Sequence, residues 1–292
     1  MRTLLVHNPS AGSGNIAAED LLTALASGGT EARYCSSKTP DFSDVLREPV
    51  DFVVVAGGDG TVMKTIDRIH DRNLPIGILP LGSANNIARS LGIEADPIEI
   101  ARGGWRETEV RRLDVGTAAG PWGKRLFVEA VGIGVLAEVL AVVEDAEVKG
   151  TERCQLARAT LRDFLTHAEP EEVTFAIDRQ VVEACLLLAE IMNISSIGPR
   201  LSLAPAGDPG DGLLDLVYLE ADLRTQMLGW LEAPSRGAPP LTTRRGGVVA
   251  FEWRQGRLHV DDAFPTPPAS PSTICVEISS DPMTVLMPRS IS

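Results

Sequence analysis

No apolar run in this chain reaches the roughly 18 residues that a membrane-spanning helix needs. The opening Met1–Val6 stretch breaks off at His7-Asn8-Pro9, too short for a secretory leader, and reads as a first strand. A cytoplasmic protein is expected. Cysteine is sparse: Cys35, Cys154, Cys185 and Cys275 are scattered without C-x-x-C spacing, which argues against a zinc or redox centre and for free, mostly buried thiols. The four histidines, His7, His70, His167 and His259, show no metal-ligand spacing and read as structural. Trp105, Trp122, Trp230 and Trp253 are too dispersed to build a base-stacking platform. Positive charge is short as well. Against 40 Asp and Glu there are 27 Lys and Arg, a net charge of −13. That balance excludes nucleic acid as a partner, because a polyanion needs a cationic footprint. It also argues against strong adsorption to an anionic membrane, but a nucleotide needs only local donors and a cation.

What is present is globular. Hydrophobic residues make up 44% and charged residues 23%, and 292 residues exceed the usual reach of one core, so two domains are expected. The first hundred residues alternate short apolar runs with amphipathic stretches. Strands are predicted at 4–7, 31–35, 51–56 and 76–80, with helices at 16–27, 41–47, 62–69 and 84–91. Such alternation marks a parallel sheet covered on both faces. Beyond residue 113, short strands at 114–117, 125–130, 172–177, 184–194, 214–219, 248–253, 257–260 and 274–278 follow an antiparallel sandwich pattern. Helices at 136–148 and 152–167 interrupt it, and the Pro- and Gly-rich stretch 233–247 reads as a mobile surface loop. Leu156, Ala159 or Thr160, and Phe164 form the predicted packing face of the second helix. The expected division is residues 1–113, with 283–292 returning to them, and residues 114–282.

The sharpest chemical signal is Gly57-Gly58-Asp59-Gly60-Thr61, directly between a β-branched strand and a helix. Glycines let the backbone approach phosphate oxygens with no Cβ in the way, and Asp59 can hold a cation or accept a proton. A second strand-to-helix loop is Pro80-Leu81-Gly82-Ser83-Ala84-Asn85-Asn86, which reads either as a phosphate contact or as simple N-capping. A third is Asn8-Pro9-Ser10-Ala11-Gly12-Ser13-Gly14. Three such loops at the carboxyl ends of parallel strands mark the rim where open α/β sheets bind ligands.

Taken in order, Asn-Pro-x-x-Gly, Gly-Gly-Asp-Gly-Thr and Pro-Leu-Gly-Ser-x-Asn resemble the diacylglycerol kinase catalytic domain family, which includes bacterial lipid kinases, sphingosine kinases and ceramide kinases. Gly210-Asp211-Gly212-Leu213-Leu214-Asp215 is similar to the acidic turn of that family's second, β-rich domain. The resemblance implies an NAD kinase/diacylglycerol kinase-like α/β domain with a parallel sheet, followed by a β-rich antiparallel sandwich. It implies ATP and magnesium (Mg²⁺) as cofactors and a lipid hydroxyl as phosphoryl acceptor, met through peripheral, transient contact at the inner membrane face. Nucleotide contacts are implied for Asn8, Gly12, Ser36, Gly58, Asp59, Gly60, Thr61 and Ser83. A Mg²⁺ site is implied at Asp208, Asp211 and the Leu213 carbonyl, although the residues alone read first as a solvated hairpin. Oligomeric state is left open, a homodimer included.

Two departures from the family pattern stand out. Lys64 occupies a position where the family usually has Glu. Val260-Asp261-Asp262-Ala263 stands where the family has Asp-Gly-Glu, so Ala263 replaces the candidate general base. Asp261, or its neighbour Asp262, is the expected substitute. Two alternatives stay open: an NAD kinase-like enzyme, against which the Pro-Leu-Gly-Ser-Ala-Asn loop speaks, and a catalytically weak or inactive nucleotide- and lipid-binding protein.

Overall fold

The computed structural model describes residues 2–12, 16–105, 108–148, 150–234 and 237–287. The chain divides into two compact units, Met1–Leu113 with Asp281–Ser292, and Asp114–Ser280. Ser13 and Gly14 of the first loop, and residues 288–292 of the returning tail, lie outside the described residues.

In chain order the first unit holds β1 (Thr3–His7), α1 (Ala18–Ser27), β2 (Ala32–Ser36), α2 (Phe42–Val45), β3 (Phe52–Gly57), α3 (Asp59–Ile69), β4 (Ile76–Pro80), α4 (Asn86–Ser90), α5 (Pro97–Arg102) and β5 (Glu109–Leu113). The second holds β6 (Gly116–Gly120), β7 (Gly123–Phe127), β8 (Ala130–Gly134), α6 (Val135–Glu144), α7 (Gly150–His167), β9 (Glu171–Ile177), β10 (Gln180–Met192), β11 (Leu214–Glu220), α8 (Arg224–Trp230), β12 (Thr242–Gly246), β13 (Val248–Trp253), β14 (Leu258–Val260) and β15 (Ser272–Ile278). The chain then returns to the first unit as β16 (Met283–Met287).

The sheet of the first unit runs β2-β1-β3-β4-β16-β5. Its first five strands are parallel, and β5 closes the edge antiparallel to β16. Every residue of β1 and β3 is buried, as the β-branched run Val53-Val54-Val55 requires of a strand covered on both faces. Because β2 lies on one side of β1 and β3 on the other, the winding reverses between β1 and β3. The carboxyl ends of those two strands are therefore the switch point at which open α/β sheets bind ligands. One helix of the first unit escaped the sequence reading. Asp96 caps α5 by accepting the N–H groups of Ile98 and Glu99, at 2.9 and 3.3 Å, with Pro97 in its first turn. Just beyond it, Trp105 is buried and stacks on Phe52, centroids 6.1 Å apart.

The second unit is an antiparallel sandwich. Its main path is β12-β11-β10-β9-β13-β15-β6-β7, and β8 joins β10 to β14. The 13-residue β10 organises it. Its first half pairs with β9, and after an irregularity near Leu186–Leu188 its second half pairs with β8, while β11 runs along its other edge. Residue alternation sends the two faces of β11 into different cores. Leu214, Leu216 and Tyr218 join Phe175, Phe251 and Trp253 between the layers. Val217 and Leu219 pack beneath the helices, with Leu136, Val139, Leu161 and Leu165.

Several expectations need correction. The 233–247 stretch is not all loop, since Thr242–Gly246 forms β12 against β11. The buried face of α7 is Ala157, Leu161 and Leu165, one residue on from the face expected; Leu156 and Phe164 flank it, partly buried. Of the four free thiols only Cys35 is buried, and Cys185 is exposed. Trp122 and Trp253 meet edge to face, centroids 5.9 Å apart, with Trp253 buried, so the pair is core packing and not a stacking platform. Among the described residues no helix is long and apolar enough to cross a membrane.

Candidate active site

Sheet register brings the ends of four parallel strands level. His7 lies opposite Ser36 of β2 and Ala56 of β3, and Ala56 lies opposite Leu79 of β4. The three loops that leave β1, β3 and β4 then touch one another in pairs. Asn8 Nδ2 donates to Thr61 Oγ1 at 3.1 Å, and the Asn8 N–H donates to the Ala56 carbonyl at 2.9 Å, joining the first loop to the second. The Leu81 N–H donates to the Gly57 carbonyl at 2.9 Å, joining the second to the third. The first and third meet at Gly12. Its φ is +56°, and a Cβ there would stand 2.3 Å from the Leu81 carbonyl oxygen. Gly58 and Gly82 approach so closely that a Cβ on Gly82 would lie 2.5 Å from the Gly58 Cα. At Gly12 and Gly82 side chains are excluded by contact, which leaves backbone exposed there between the polar side chains of the loops.

No side-chain hydrogen bond caps the start of α3 at Gly58, and although the Thr61 N–H turns back to the Gly58 carbonyl at 2.9 Å, the helix dipole favours an anion at this end. Gly58 and Asp59 are half-buried and Gly60 is exposed. Asp59 lies in the first turn, and its Oδ1 accepts the Ile87 N–H at 2.9 Å, tying α3 to the start of α4. Asn85 takes the left-handed conformation, φ 54°, and clasps Gly82 with both amide atoms, at 2.7 and 2.8 Å. Ser83 is half-buried in the same loop.

Ser36 sits at the end of β2 beside His7, its hydroxyl accepting the Lys38 N–H at 3.2 Å. Lys64, the first departure, has a structural anchor. Its Nζ donates to the Ser37 carbonyl at 2.7 Å and lies 4.9 Å from the Phe42 ring centroid, fastening α3 to the end of β2. Burial, then the nearby charges of Arg68 and Lys38, pull its pKa below the ordinary lysine value. Burial likewise lowers the pKa of His7.

The second departure resolves differently. Asp261, expected as the substitute base, turns its carboxylate into its own unit. Oδ2 accepts the Val128 N–H at 2.8 Å, and Oδ1 accepts those of Glu129 and Ala130 at 2.8 and 3.1 Å. Three consecutive amides, those of Val128, Glu129 and Ala130, thus take up most of its acceptor capacity, and its backbone adopts φ 48° to reach them. A carboxylate so committed is a fastener, so the catalytic expectation for Asp261 is withdrawn. Burial pushes this carboxyl up to about 7 against the pull of those three donors. Beside it, His259 Nε2 meets Glu190 Oε2 at 2.8 Å with both side chains fully buried, while Asp262 is exposed.

The expected Mg²⁺ set of Asp208, Asp211 and the Leu213 carbonyl does not fit a cation as it stands. Asp208 Oδ1 accepts the Gly210 N–H and Asp211 Oδ1 the Leu213 N–H, each at 3.0 Å. Asp211 Oδ2 is bound by the Arg245 guanidinium. Among the described residues, no group of three or more His, Cys, Asp or Glu is arranged to hold a metal ion. Sequence reasoning missed Arg245, because β12 was read as loop. It also missed Asp114, whose Oδ2 accepts the Gly212 N–H at 2.6 Å from across the unit.

Comparison with known proteins agrees with this architecture. The family model of the diacylglycerol kinase catalytic domain matches residues 2–118. The model of the YegS C-terminal NAD kinase beta sandwich-like domain matches residues 129–262. A diacylglycerol kinase of Mycobacterium tuberculosis is 27% identical over 257 residues, covering 82% of this chain and 77% of that protein. One from Bacillus subtilis is 30% identical over 178 residues, covering 60% and 56%. The crystal structure of a diacylglycerol kinase from Bacillus anthracis superposes with a TM-score of 0.71 at 19% identity, covering 100% of this chain and 98% of that one.

Proposed function

Because this chain belongs to the diacylglycerol kinase catalytic domain family and is a lipid kinase by kinship, we propose that it transfers the γ-phosphoryl group of ATP to the hydroxyl of diacylglycerol or a related lipid. The observation that carries this reading is the glycine junction: three loops in mutual contact, with Gly12 and Gly82 packed too closely to admit a Cβ, at the start of α3 that no side chain caps. Phosphate oxygens accept from backbone N–H groups there without displacing any side chain. Asn8, Gly12, Gly58, Gly60, Thr61 and Ser83 line the nucleotide, with Ser36 at the flank.

Phosphoryl transfer asks for alignment and charge neutralisation more than covalent help. Asp59 is the acid at the junction. Its tie to Ile87 fixes the carboxylate relative to both glycine loops. A divalent cation, which kinase chemistry generally implies, would be held there by Asp59 with the phosphates and would neutralise charge on the transferring group. The alternative role for Asp59 is to accept the proton of the attacking hydroxyl or orient it, so the lack of a glutamate at position 263 does not remove the chemistry. Lipid is met by peripheral, transient contact with a membrane.

Incubating the purified chain with γ-labelled ATP and a total lipid extract, then identifying any labelled lipid, tests this directly. Label in a lipid carrying one added phosphate supports it. Nucleotide binding without labelled lipid favours the non-catalytic reading, and labelled NADP in a parallel incubation with NAD in place of the lipid favours an NAD kinase.

A further inference from the structure

The acidic turn at 208–215 holds a positive charge of its own. Strands β11 and β12 pair so that Asp215 and Arg245 are directly opposed. From that position Arg245 reaches both acids. Its Nε lies 2.9 Å from Asp215 Oδ1, and its terminal nitrogen binds Asp211 Oδ2. Asp215 is only 8% exposed at its side chain, so its charge depends on a partner. Burial raises the Asp215 carboxyl and Arg245 draws it back down. The planar guanidinium suits this two-acid bridge, because its donors point in fixed, divergent directions.

We propose that Arg245 is the resident cation of this turn: its guanidinium, bridging Asp211 and Asp215, takes the place in which resemblance implied Mg²⁺, and the turn binds no divalent metal while Arg245 is there. A metal ligated by Asp211 would have to expel the guanidinium and leave the buried Asp215 without its counter-charge. Retaining both would set a divalent ion beside a guanidinium in a partly desolvated place, where like charges repel strongly. Three of the remaining oxygens are already partly engaged. Asp208 Oδ1 and Asp211 Oδ1 already accept from Gly210 and Leu213, and Asp114 Oδ2 from Gly212. The inference stands apart from the proposed reaction, since it concerns what holds this turn together whichever substrate the chain uses.

The test is thermal unfolding of the nucleotide-free full chain, with and without MgCl₂ or MnCl₂, and Mn²⁺ binding followed by electron paramagnetic resonance. Three chains are compared: the native one, Arg245→Gln and Asp211→Asn. The native chain is expected to melt at the same temperature with and without the cation. Arg245→Gln is expected to melt several degrees lower and to regain at least half of that loss in about 10 mM cation, as mass action on a vacated site predicts. Saturable Mn²⁺ binding by the native chain that disappears in Asp211→Asn would overturn the proposal. So would an Arg245→Gln chain that melts like the native one and is indifferent to cations.

Discussion

Asn8 and Thr61, 53 residues apart in sequence, share a hydrogen bond of 3.1 Å from the Asn8 amide to the Thr61 hydroxyl. The bond spans the point where the sheet reverses its winding. It closes the loop after β1 onto the first turn of α3, and it draws on the side of Thr61 that the helix leaves free. Thr61 is otherwise buried, so its hydroxyl needs this partner, and Asn8 anchors the loop to α3 while its Oδ1 holds Ser10 of the same loop.

Asp59→Asn separates chemistry from architecture. Asparagine keeps an oxygen that can accept the Ile87 N–H, so the tie between α3 and α4 survives. Phosphoryl transfer is expected to fall by about 10²-fold or more, the usual worth of a positioned acid or charge-stabilising group. Unfolding free energy should change by under about 1 kcal/mol. Steady-state kinetics and denaturant unfolding check the two halves; turnover near the native rate would count against Asp59.

Gly82→Ala tests the packing of the junction. The new methyl would stand 2.5 Å from the Gly58 Cα and 2.8 Å from the Asn85 amide oxygen, so backbone must move. A loss of about 1–3 kcal/mol is expected from overpacking, with a weakening of ATP affinity by at least about tenfold, or 1.4 kcal/mol. Gly229→Ala in α8 is the control. Nothing lies within 4 Å of its Cβ, and alanine there should be neutral or stabilising by up to about 1 kcal/mol. Calorimetric titration with ATP reads the affinity of both variants.

Asp261 gives the fold a pH signature. Its folded carboxyl is raised from 3.8 to about 7, so the folded chain keeps a proton that the unfolded chain has already released. Its contribution to stability is therefore complete below the unfolded value and is lost as pH rises through about 7. Carbon NMR of labelled aspartate carboxyls should show one group titrating near 7. If every aspartate carboxyl has finished titrating by about pH 5, burial does not dominate at this position.

The central parallel sheet was readable because burial on both faces leaves a plain mark, as in Phe52-Val53-Val54-Val55-Ala56. Its glycine turns were readable because turn chemistry is local. Edge strands leave no such mark. Four of the five residues of β5 are exposed, and Val110 is 63% exposed, so Glu-Val-Arg-Arg-Leu carries no alternation to find. Thr-Thr-Arg-Arg-Gly of β12 hid for the same reason, and with it the pairing that puts Arg245 beside Asp215. Helix α5 did carry a signal, an aspartate cap followed by proline, that was overlooked. The commitment of Asp261 to amides 131–133 residues earlier in the chain is set by tertiary structure alone; no local pattern announces it.

The central claim is that the junction of three loops grips the nucleotide. Amide NMR of the ¹⁵N-glycine-labelled chain, titrated with a non-hydrolysable ATP analogue and Mg²⁺, addresses it most directly. Gly12, Gly58, Gly60 and Gly82 should shift together with one dissociation constant, while Gly123 and Gly256 of the second unit stay in place. Saturating nucleotide that leaves those four resonances unmoved, or that perturbs glycines elsewhere instead, would contradict the account.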